Sequence, residues 1–336
     1  MRYILSLTRC CTYNCEFCAV DAHYNDSVGG CADLATKEQA AGRELGPAQW
    51  CDIVAKILHS NPNTEFDLSG GDCLSLPWVY KDLIPFIIEK TQNPKQVAIT
   101  ATAKSLVAWL DADIHQSRAG YPGAIHLTYD GYRPYSSENI ALVPQVHRLG
   151  IEVHVECPLT VENCHVEGAH LIYNALRDAG IPEVLLMSYF PVGRGGDSSQ
   201  FGTLTPTEDN YRMTISEFMR LEKHYPDGPK IKVQCALKGL LPGGNGGVPC
   251  KMGDDTWCIM PDGTLLTCPW AYGLGGSPLD AAFVAGNALK DEVGEWRASG
   301  RESRNHLRRK YPRQCVIKAY TADVLDGSSR SKKSAA

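Results

Sequence analysis

The sequence has no apolar run of about 18 residues, which excludes an ordinary transmembrane helix. Its apolar start is too short for a signal peptide. It also has no excess of basic residues: 33 Lys and Arg stand against 38 Asp and Glu, a formal net charge of −5. This balance disfavours a general nucleic-acid binder. We therefore expect a soluble, cytoplasmic chain with neither a nucleic-acid nor a membrane partner.

The sequence also lacks an internal repeat and is not dominated by polar residues. It has 336 residues, of which 43% are hydrophobic, so it can bury a full-sized core. This excludes a disordered tail or a mini-protein. The length predicts one large domain or two ordinary ones.

Cysteine, by contrast, is abundant, with 14 residues in the chain. In a chain without an export signal, a reducing compartment favours metal binding or redox chemistry over disulfides. The cysteines concentrate in two regions, an early group (Cys10, Cys11, Cys15, Cys18) and a late group (Cys235, Cys250, Cys258, Cys268), which Cys315 follows. We interpret the scattered cysteines as small buried hydrophobic residues.

The first 200 residues alternate short strand patterns with longer helical ones. Six strands are predicted, most of them continuous apolar runs typical of parallel strands buried on both faces, at 3–8, 65–69, 96–100, 124–128, 152–156 and 184–189. Helical patterns between them complete βαβ units. Six units are fewer than the eight of a complete barrel. The sequence therefore predicts an α/β fold, a partial (β/α)6 TIM-type barrel.

The character of the sequence changes near residue 230. Residues 239–253 are rich in Gly and Pro, and residues 257–268 predict a hairpin that turns at Pro261-Asp262-Gly263. The tail after Leu325 is polar. We therefore predict a barrel domain over 1–229, a small cysteine-rich domain over 230–324, and a disordered tail over 325–336.

The first predicted strand leads into the spacing Cys11-x3-Cys15-x2-Cys18. Three thiolates this close can hold three corners of an iron–sulfur cube and leave one iron open. Zinc is the competing interpretation, although structural zinc normally draws four ligands as two separated pairs, and most [4Fe–4S] clusters are held by four cysteines. Cys10 is interpreted as structural, because adjacent cysteines seldom reach the same cluster face.

This loop, with Phe17 just before its third cysteine, resembles the radical SAM superfamily. Gly70-Gly71-Asp72 ends the second predicted strand, like the Gly-Gly-Glu motif of that family. Glycines there let backbone polar groups approach the methionine amino group of S-adenosylmethionine (AdoMet). Asp72 replaces the usual Glu, which keeps the charge but shortens its reach.

Two further segments resemble the family. Leu127-Thr128-Tyr129-Asp130-Gly131 is similar to a stretch that closes the fourth strand, where the Thr128 hydroxyl would face the cofactor. Residues 190–195 resemble a Pro-x-Gly-Arg-Gly turn after the sixth strand and contribute Arg194. The resemblance thus implies a cofactor-binding set of Phe17, Gly70, Gly71, Asp72, Thr128 and Arg194.

The late cysteines resemble a SPASM or twitch domain. Cys250, Gly263 and Cys268 reproduce the signature Cys-x(9–15)-Gly-x4-Cys, in which the turn glycine brings both cysteines to one end of a small sheet. Only Cys315 follows, so a single auxiliary [4Fe–4S] cluster is expected rather than two. The resemblance implies the ligands Cys250, Cys268, Cys315 and Cys235, with Cys258 as the rival of Cys235.

These resemblances imply an activity. A [4Fe–4S] cluster on Cys11, Cys15 and Cys18 would bind AdoMet and cleave it reductively to a 5′-deoxyadenosyl radical, which takes a hydrogen atom from a substrate. The auxiliary cluster would exchange an electron or hold the substrate. A reductant such as flavodoxin or ferredoxin would be the protein partner.

The substrate is not specified by these motifs. Only ten residues precede Cys11, too few for the leader-binding domain of many peptide-modifying relatives. We therefore expect a small polar natural-product intermediate of sugar, cyclitol or nucleoside type, with a maturase of ribosomal peptides as the alternative. No catalytic base is assigned, although several side chains could point into the barrel mouth: His23, Tyr24, His126, Asp130, His154 and Glu156.

An alternative of another class is a non-enzymatic metal protein, such as a zinc-stabilised binding module or an electron carrier. An electron carrier would have no use for Gly70-Gly71-Asp72 at a strand end or for a full barrel. The sequence therefore favours the enzyme.

Overall fold

The structure, a computed structural model, describes residues 1–112, 120–196, 204–241 and 250–333. Within these ranges ten strands form one sheet and two short strands form a separate pair. In chain order the strands are β1 (Arg2–Ser6), β2 (Cys10–Cys11), β3 (His23–Tyr24), β4 (Glu65–Ser69), β5 (Val97–Thr100), β6 (Ala124–Thr128), β7 (Glu152–Leu159), β8 (Glu183–Ser188), β9 (Lys230–Val233), β10 (Thr256–Ile259), β11 (Thr264–Leu266) and β12 (Val284–Asn287).

Helices connect most of the parallel strands. They are α1 (Val28–Ala40), α2 (Pro47–Ser60), α3 (Ile84–Thr91), α4 (Ala103–Asp111), α5 (Pro134–Ala141), α6 (Val143–Arg148), α7 (Val166–Asp178), α8 (Glu208–His224), α9 (Val293–Lys310) and α10 (Val316–Lys333). A π-helical turn, Val79–Leu83, leads into α3. No helix among the described residues is both long and apolar enough to cross a membrane.

The main sheet has the strand order β12-β11-β10-β1-β4-β5-β6-β7-β8-β9. From β1 to β9 every neighbouring pair is parallel, as the βαβ pattern requires. All six predicted strands are present, and the predicted fold class, a partial barrel, is confirmed.

Helix α2 shows why the helical predictions succeed. Pro47 occupies its first turn, where a missing N–H costs nothing. Trp50, Ile53, Val54 and Ile57 follow the spacing i, i+3, i+4, i+7 and are all buried. The apolar stripe therefore lies in the main hydrophobic core.

The structure differs from the predicted domain boundary at residue 230. Strand β9 pairs in parallel with β8, so the barrel sheet continues beyond residue 229. The predicted hairpin is present as β10 and β11, and β10 pairs in parallel with β1. The cysteine-rich region thus extends the barrel sheet at its β1 edge and does not form a separate sheet.

The predicted tail over 325–336 overlaps the last helix. Helix α10 begins at the buried residues Val316 and Ile317 and continues to Lys333. Once a helix has started on a packed turn, each added residue gains a hydrogen bond at little further cost. The backbone from residue 325 to Lys333 is therefore helical, and residues 334–336 lie outside the described ranges.

Candidate active site and candidate metal centres

The early cysteines lie at the carboxyl ends of the parallel strands. Strand β1 ends at Ser6, and the chain then carries Cys11, Cys15 and Cys18 to the rim of one cavity of about 280 Å³. A turn in which the Cys18 N–H donates to the Cys15 carbonyl oxygen at 3.3 Å keeps the second and third cysteines close. Cys10 is fully buried and does not line this cavity, in keeping with a structural role.

Each of the three thiols accepts a hydrogen bond from an N–H group. The Tyr13 N–H donates to Cys11 Sγ at 3.4 Å, the Ala22 N–H to Cys18 Sγ at 3.3 Å, and Arg133 Nη1 to Cys15 Sγ at 3.2 Å. Burial raises the pKa of Cys18 to about 11. Deprotonation here must therefore accompany metal binding, and the N–H donors suit the thiolate that results. The donor set fits a cluster ligated by three cysteines.

Arg133 joins this loop to the rest of the cavity. Its Nε forms a very short ion pair with Asp130, and its Nη1 donates to the Tyr135 hydroxyl at 2.8 Å. Its guanidinium carbon lies 4.5 Å from the centre of the Phe17 ring. Nη2 is buried and has no hydrogen-bond partner, although Arg133 lines the cavity. A buried guanidinium with one free N–H group is suited to binding an anion.

Arg133 is the residue that the sequence analysis missed. It stands two residues after Gly131, directly beyond the segment already singled out at the end of β6. The signal in the sequence was an arginine three residues after an aspartate, directly after a predicted parallel strand. Only the folded chain shows that Asp130 orients this arginine towards Cys15.

The Gly70-Gly71 pair is required by the close approach of two chain segments. Gly70 has a φ of +122°, a conformation that favours glycine. A Cβ on Gly71 would lie 2.1 Å from the Cys10 carbonyl oxygen. The Gly71 N–H donates to the Thr8 carbonyl oxygen at 2.7 Å, which ties the end of β4 to the cysteine loop. Both glycines line the cavity.

The structure corrects the role predicted for Asp72. Its carboxylate is fully buried, and it is not among the residues that line the cavity. It accepts hydrogen bonds from three hydroxyls, those of Thr12 at 2.7 Å, Thr102 at 2.7 Å and Ser105 at 2.6 Å. Burial raises the pKa of Asp72 above the ordinary carboxyl value. The carboxylate therefore stabilises the region behind the cavity and does not face an amino group inside it.

The other predicted cofactor-binding residues divide into two groups. Phe17 and Thr128 line the cavity, as expected. Arg194 does not. Its Nη1 donates to Asn14 Oδ1 at 2.7 Å and to the Cys15 carbonyl oxygen at 3.0 Å, and its Nε pairs with Asp21 at 3.1 Å. Arg194 therefore holds the cysteine loop in shape from outside the cavity.

Several polar side chains line the cavity away from the early cysteines. His126 and Glu156 lie 3.6 Å apart, between Nδ1 and Oε1. Asp67 pairs with Arg2 at 2.5 Å. Of the side chains considered for the barrel mouth, only His126 and Glu156 are among the lining residues. No contact in the described ranges singles out either one as a catalytic base, so this role stays unassigned.

The late cysteines form a second group. Burial, followed by the charges of Cys315, Cys250 and Cys235, raises the pKa of the Cys268 thiol. Burial, with Cys235 and Cys250, likewise raises the pKa of Cys315 to about 11. Each of these thiols therefore lies within electrostatic reach of the other members of the group. These electrostatic couplings place the four predicted ligands, Cys235, Cys250, Cys268 and Cys315, in one region of the fold.

Cys258, the rival ligand, lies elsewhere. It is buried, it lines the first cavity, and its Sγ lies 3.4 Å from the Tyr272 hydroxyl. It belongs to β10, where it faces Leu266 of β11. Across the described ranges, no three His, Cys, Asp or Glu side chains are gathered tightly enough to hold a single metal ion.

Comparison with known proteins gives structural matches without sequence matches. The sequence matches no protein-family model and no curated protein. Native anSMEcpe with bound AdoMet and a Cp18Cys peptide superposes with a TM-score of 0.59 at 11% identity, over 89% of this chain and 81% of that chain. SuiB of Streptococcus suis bound to the precursor peptide SuiA also gives 0.59, at 13% identity, over 88% of this chain and 64% of that chain. At such identities the likeness establishes a shared fold.

Proposed function

We propose that this chain, which has the fold of radical SAM enzymes of the SPASM type, is itself a radical SAM enzyme. One observation carries the proposal. Cys11, Cys15, Cys18, Gly70, Gly71 and Arg133, whose buried Nη2 has no hydrogen-bond partner, all line one cavity at the carboxyl ends of parallel strands. This is where α/β folds of this kind bind their ligands.

Cys11, Cys15 and Cys18 would hold the first [4Fe–4S] cluster. When bound and reduced, the cluster supplies the electron that cleaves AdoMet to methionine and a 5′-deoxyadenosyl radical. The N–H donors to the three thiols stabilise thiolates. Arg194 holds the loop through its contacts to Asn14 and the Cys15 carbonyl.

The remaining cavity residues would position AdoMet. The backbone carbonyl groups of Gly70 and Gly71, which line the cavity, suit its amino group, and the guanidinium of Arg133, which also lines it, suits its carboxylate. The Thr128 hydroxyl and the Phe17 ring offer polar and apolar contacts. Asp72 acts only through Thr12, Thr102 and Ser105.

Cys235, Cys250, Cys268 and Cys315 would hold a single auxiliary [4Fe–4S] cluster. The electrostatic coupling among these thiols supports this set, and the location of Cys258 in the first cavity supports leaving it out. A cluster ligated by four cysteines has no open iron, so its role would be electron exchange.

For the substrate, the comparisons favour a peptide over a small molecule. Two of the structural neighbours hold a bound peptide, Cp18Cys in anSMEcpe and SuiA in SuiB. We therefore propose a peptide side chain as the group that enters the cavity. The small polar intermediate suggested by the sequence is the second candidate, and it is favoured by His126, Glu156 and Asp67 on the cavity wall.

A metal-binding module without catalytic activity is a weaker explanation. Such a module would need only the cysteines. Here Gly70, Gly71, Thr128 and Arg133 border the same cavity as the first three cysteines. This arrangement combines a metal site with room for a ligand.

The test is anaerobic incubation of the reconstituted protein with dithionite and AdoMet, with 5′-deoxyadenosine measured by mass spectrometry. We expect 5′-deoxyadenosine from the wild type and none from the Cys11→Ala/Cys15→Ala/Cys18→Ala variant. Equal formation by both would overturn the proposal. Candidate peptides encoded by neighbouring genes, and polar metabolites made by the products of those genes, are then added. The compound whose mass changes identifies the substrate class.

A further inference from the structure

Basic charge is concentrated in one segment of this acidic chain. Residues 297–318 contain eight Lys or Arg and one Glu, which leaves 25 basic and 37 acidic residues elsewhere from totals of 33 and 38. The segment comprises most of α9, the turn after it and the start of α10. Such a local excess attracts an acidic partner in spite of the negative net charge.

Most of these basic residues are exposed on the surface. The exposed residues Arg301, Arg308, Arg309, Lys310 and Arg313 are called the basic patch below. Lys310 lies 3.7 Å from Asp323. For the other four, the described part of the chain shows no ion pair. A solvated patch of this kind adds little to folding stability, so its charge is available for binding.

The basic patch lies beside two members of the second group of cysteines, Cys250 and Cys315. Arg308 Nη2 makes a short hydrogen bond to the Cys250 carbonyl oxygen. Arg304, on the same helix, pairs with Asp254 at 2.7 Å and fixes α9 over the segment that carries Cys250. Arg313 stands two residues before Cys315, and both line a second cavity of about 480 Å³.

We propose that the basic patch is the docking surface for an acidic electron-transfer protein, which reduces the auxiliary cluster beside it. The proposal rests on the proposed function, which supplies that cluster. The step balances as a simple transfer: the donor's prosthetic group loses one electron, the cluster gains one, and no bond or proton changes place. Weak redox complexes use small, charge-steered interfaces of this kind.

Two other kinds of partner bind basic surfaces, namely acidic peptides and nucleic acids. The location of the basic patch favours the electron donor, because Arg308 contacts the Cys250 carbonyl and Arg313 lines a cavity with Cys315, and both cysteines are proposed ligands of the auxiliary cluster. Neither a peptide nor a nucleic acid needs to approach that group. The first cavity, where the substrate would react, has none of the patch residues in its lining.

The experiment compares two matched charge-reversal variants. Arg309→Glu/Arg313→Glu alters the basic patch. Lys81→Glu/Arg148→Glu changes the net charge equally at exposed helical positions elsewhere. Reduction of the anaerobic, fully loaded protein is followed by stopped-flow absorbance with reduced flavodoxin, an acidic protein, and separately with dithionite.

We expect the patch variant to be reduced by flavodoxin about tenfold more slowly than the wild type at low salt. The control variant should keep more than half of the wild-type rate. With dithionite all three proteins should be reduced at the same rate. Added salt should lower the flavodoxin reduction rates of the wild type and the control until they approach the rate of the patch variant.

Equal rates for the two variants with flavodoxin would overturn the proposal. So would a patch variant that loses affinity for a substrate peptide or for RNA while its reduction by flavodoxin is unchanged. Iron analysis separates these failures from failure of the proposed function. A docking failure leaves about eight irons per chain, whereas about four irons would remove the auxiliary cluster itself.

Discussion

Arg133 has three directed contacts and one free N–H group, and this asymmetry defines its expected role. Asp130, the Tyr135 hydroxyl and Cys15 Sγ hold the guanidinium in place. Removing the whole charge would leave the buried Asp130 without its ion-pair partner. Lysine is therefore the informative replacement, because it keeps the charge but not the second N–H group.

We predict that Arg133→Lys raises the Kd for AdoMet about tenfold to a hundredfold, the cost of a charge-assisted hydrogen bond of about 1.5–3 kcal/mol. Anaerobic calorimetry of AdoMet binding measures this directly. Arg148→Lys, at an exposed position, is the control and should bind like the wild type. An unchanged Kd for Arg133→Lys would assign the carboxylate of AdoMet to another group.

Asp72 gives a prediction for pH dependence. Because burial raises the pKa of Asp72, ionisation costs more in the folded chain than in the unfolded chain. Its contribution to folding is therefore fully present at pH values below the ordinary carboxyl pKa and is lost as the pH rises through the raised value. Asparagine at this position stays neutral throughout.

The free energy of unfolding of Asp72→Asn, relative to the wild type, should accordingly increase between pH 4.5 and pH 8. Denaturant unfolding at several pH values measures this difference. Asp52→Asn, at an exposed helical position, should show no such trend. A constant difference between Asp72→Asn and the wild type would contradict the assigned burial effect.

At the scale of secondary-structure elements, the site depends on the contact between the end of β4 and the cysteine loop. A Cβ on Gly71 would meet the Cys10 carbonyl oxygen at 2.1 Å, and backbone atoms cannot move aside as a flexible side chain can. We predict that Gly71→Ala lowers stability by about 1–3 kcal/mol, as overpacking does, and reduces iron in the first cluster.

Gly29→Ala is the matched control for this prediction. Gly29 lies in α1, and a Cβ there meets nothing within 4 Å. Alanine should be neutral or should stabilise the helix by up to about 1 kcal/mol. Thermal unfolding and iron analysis of both variants make the comparison. Equal behaviour of the two variants would mean that the close contact at Gly71 is unimportant.

Strands β4 and β6 could be predicted from the sequence because their continuous runs of buried residues are mostly apolar. Strand β9 was missed for the opposite reason. It is an edge strand in which two lysines alternate with half-buried apolar residues. Its existence depends on pairing with β8, which a local pattern does not contain.

The site was predictable only where one short segment carries the chemistry. The spacing of Cys11, Cys15 and Cys18 is local, and all three border the same cavity. The environment of Asp72 was not predictable, because Thr12, Thr102 and Ser105 are distant in sequence and meet it only in the folded chain. The sequence therefore identified the position but not the role of the side chain.

At the scale of the whole molecule, one sheet carries two groups of cysteines. The first group lies on the loop after β1, and β10 and β11 extend the sheet from β1 towards the second group. Replacing Cys258 provides an experimental test of how the two groups are divided. It belongs to the same hairpin as Cys268, but it lines the first cavity and is not a member of either ligand set.

Iron and sulfide analysis with Mössbauer spectroscopy, on the anaerobically reconstituted chain, tests this two-cluster account most directly. We predict about eight irons per chain in the wild type and in Cys258→Ala, and about four in Cys250→Ala/Cys268→Ala, because a cluster that has lost two ligands is held poorly. About four irons in the wild type, or a loss of iron in Cys258→Ala equal to that of the double variant, would contradict the account.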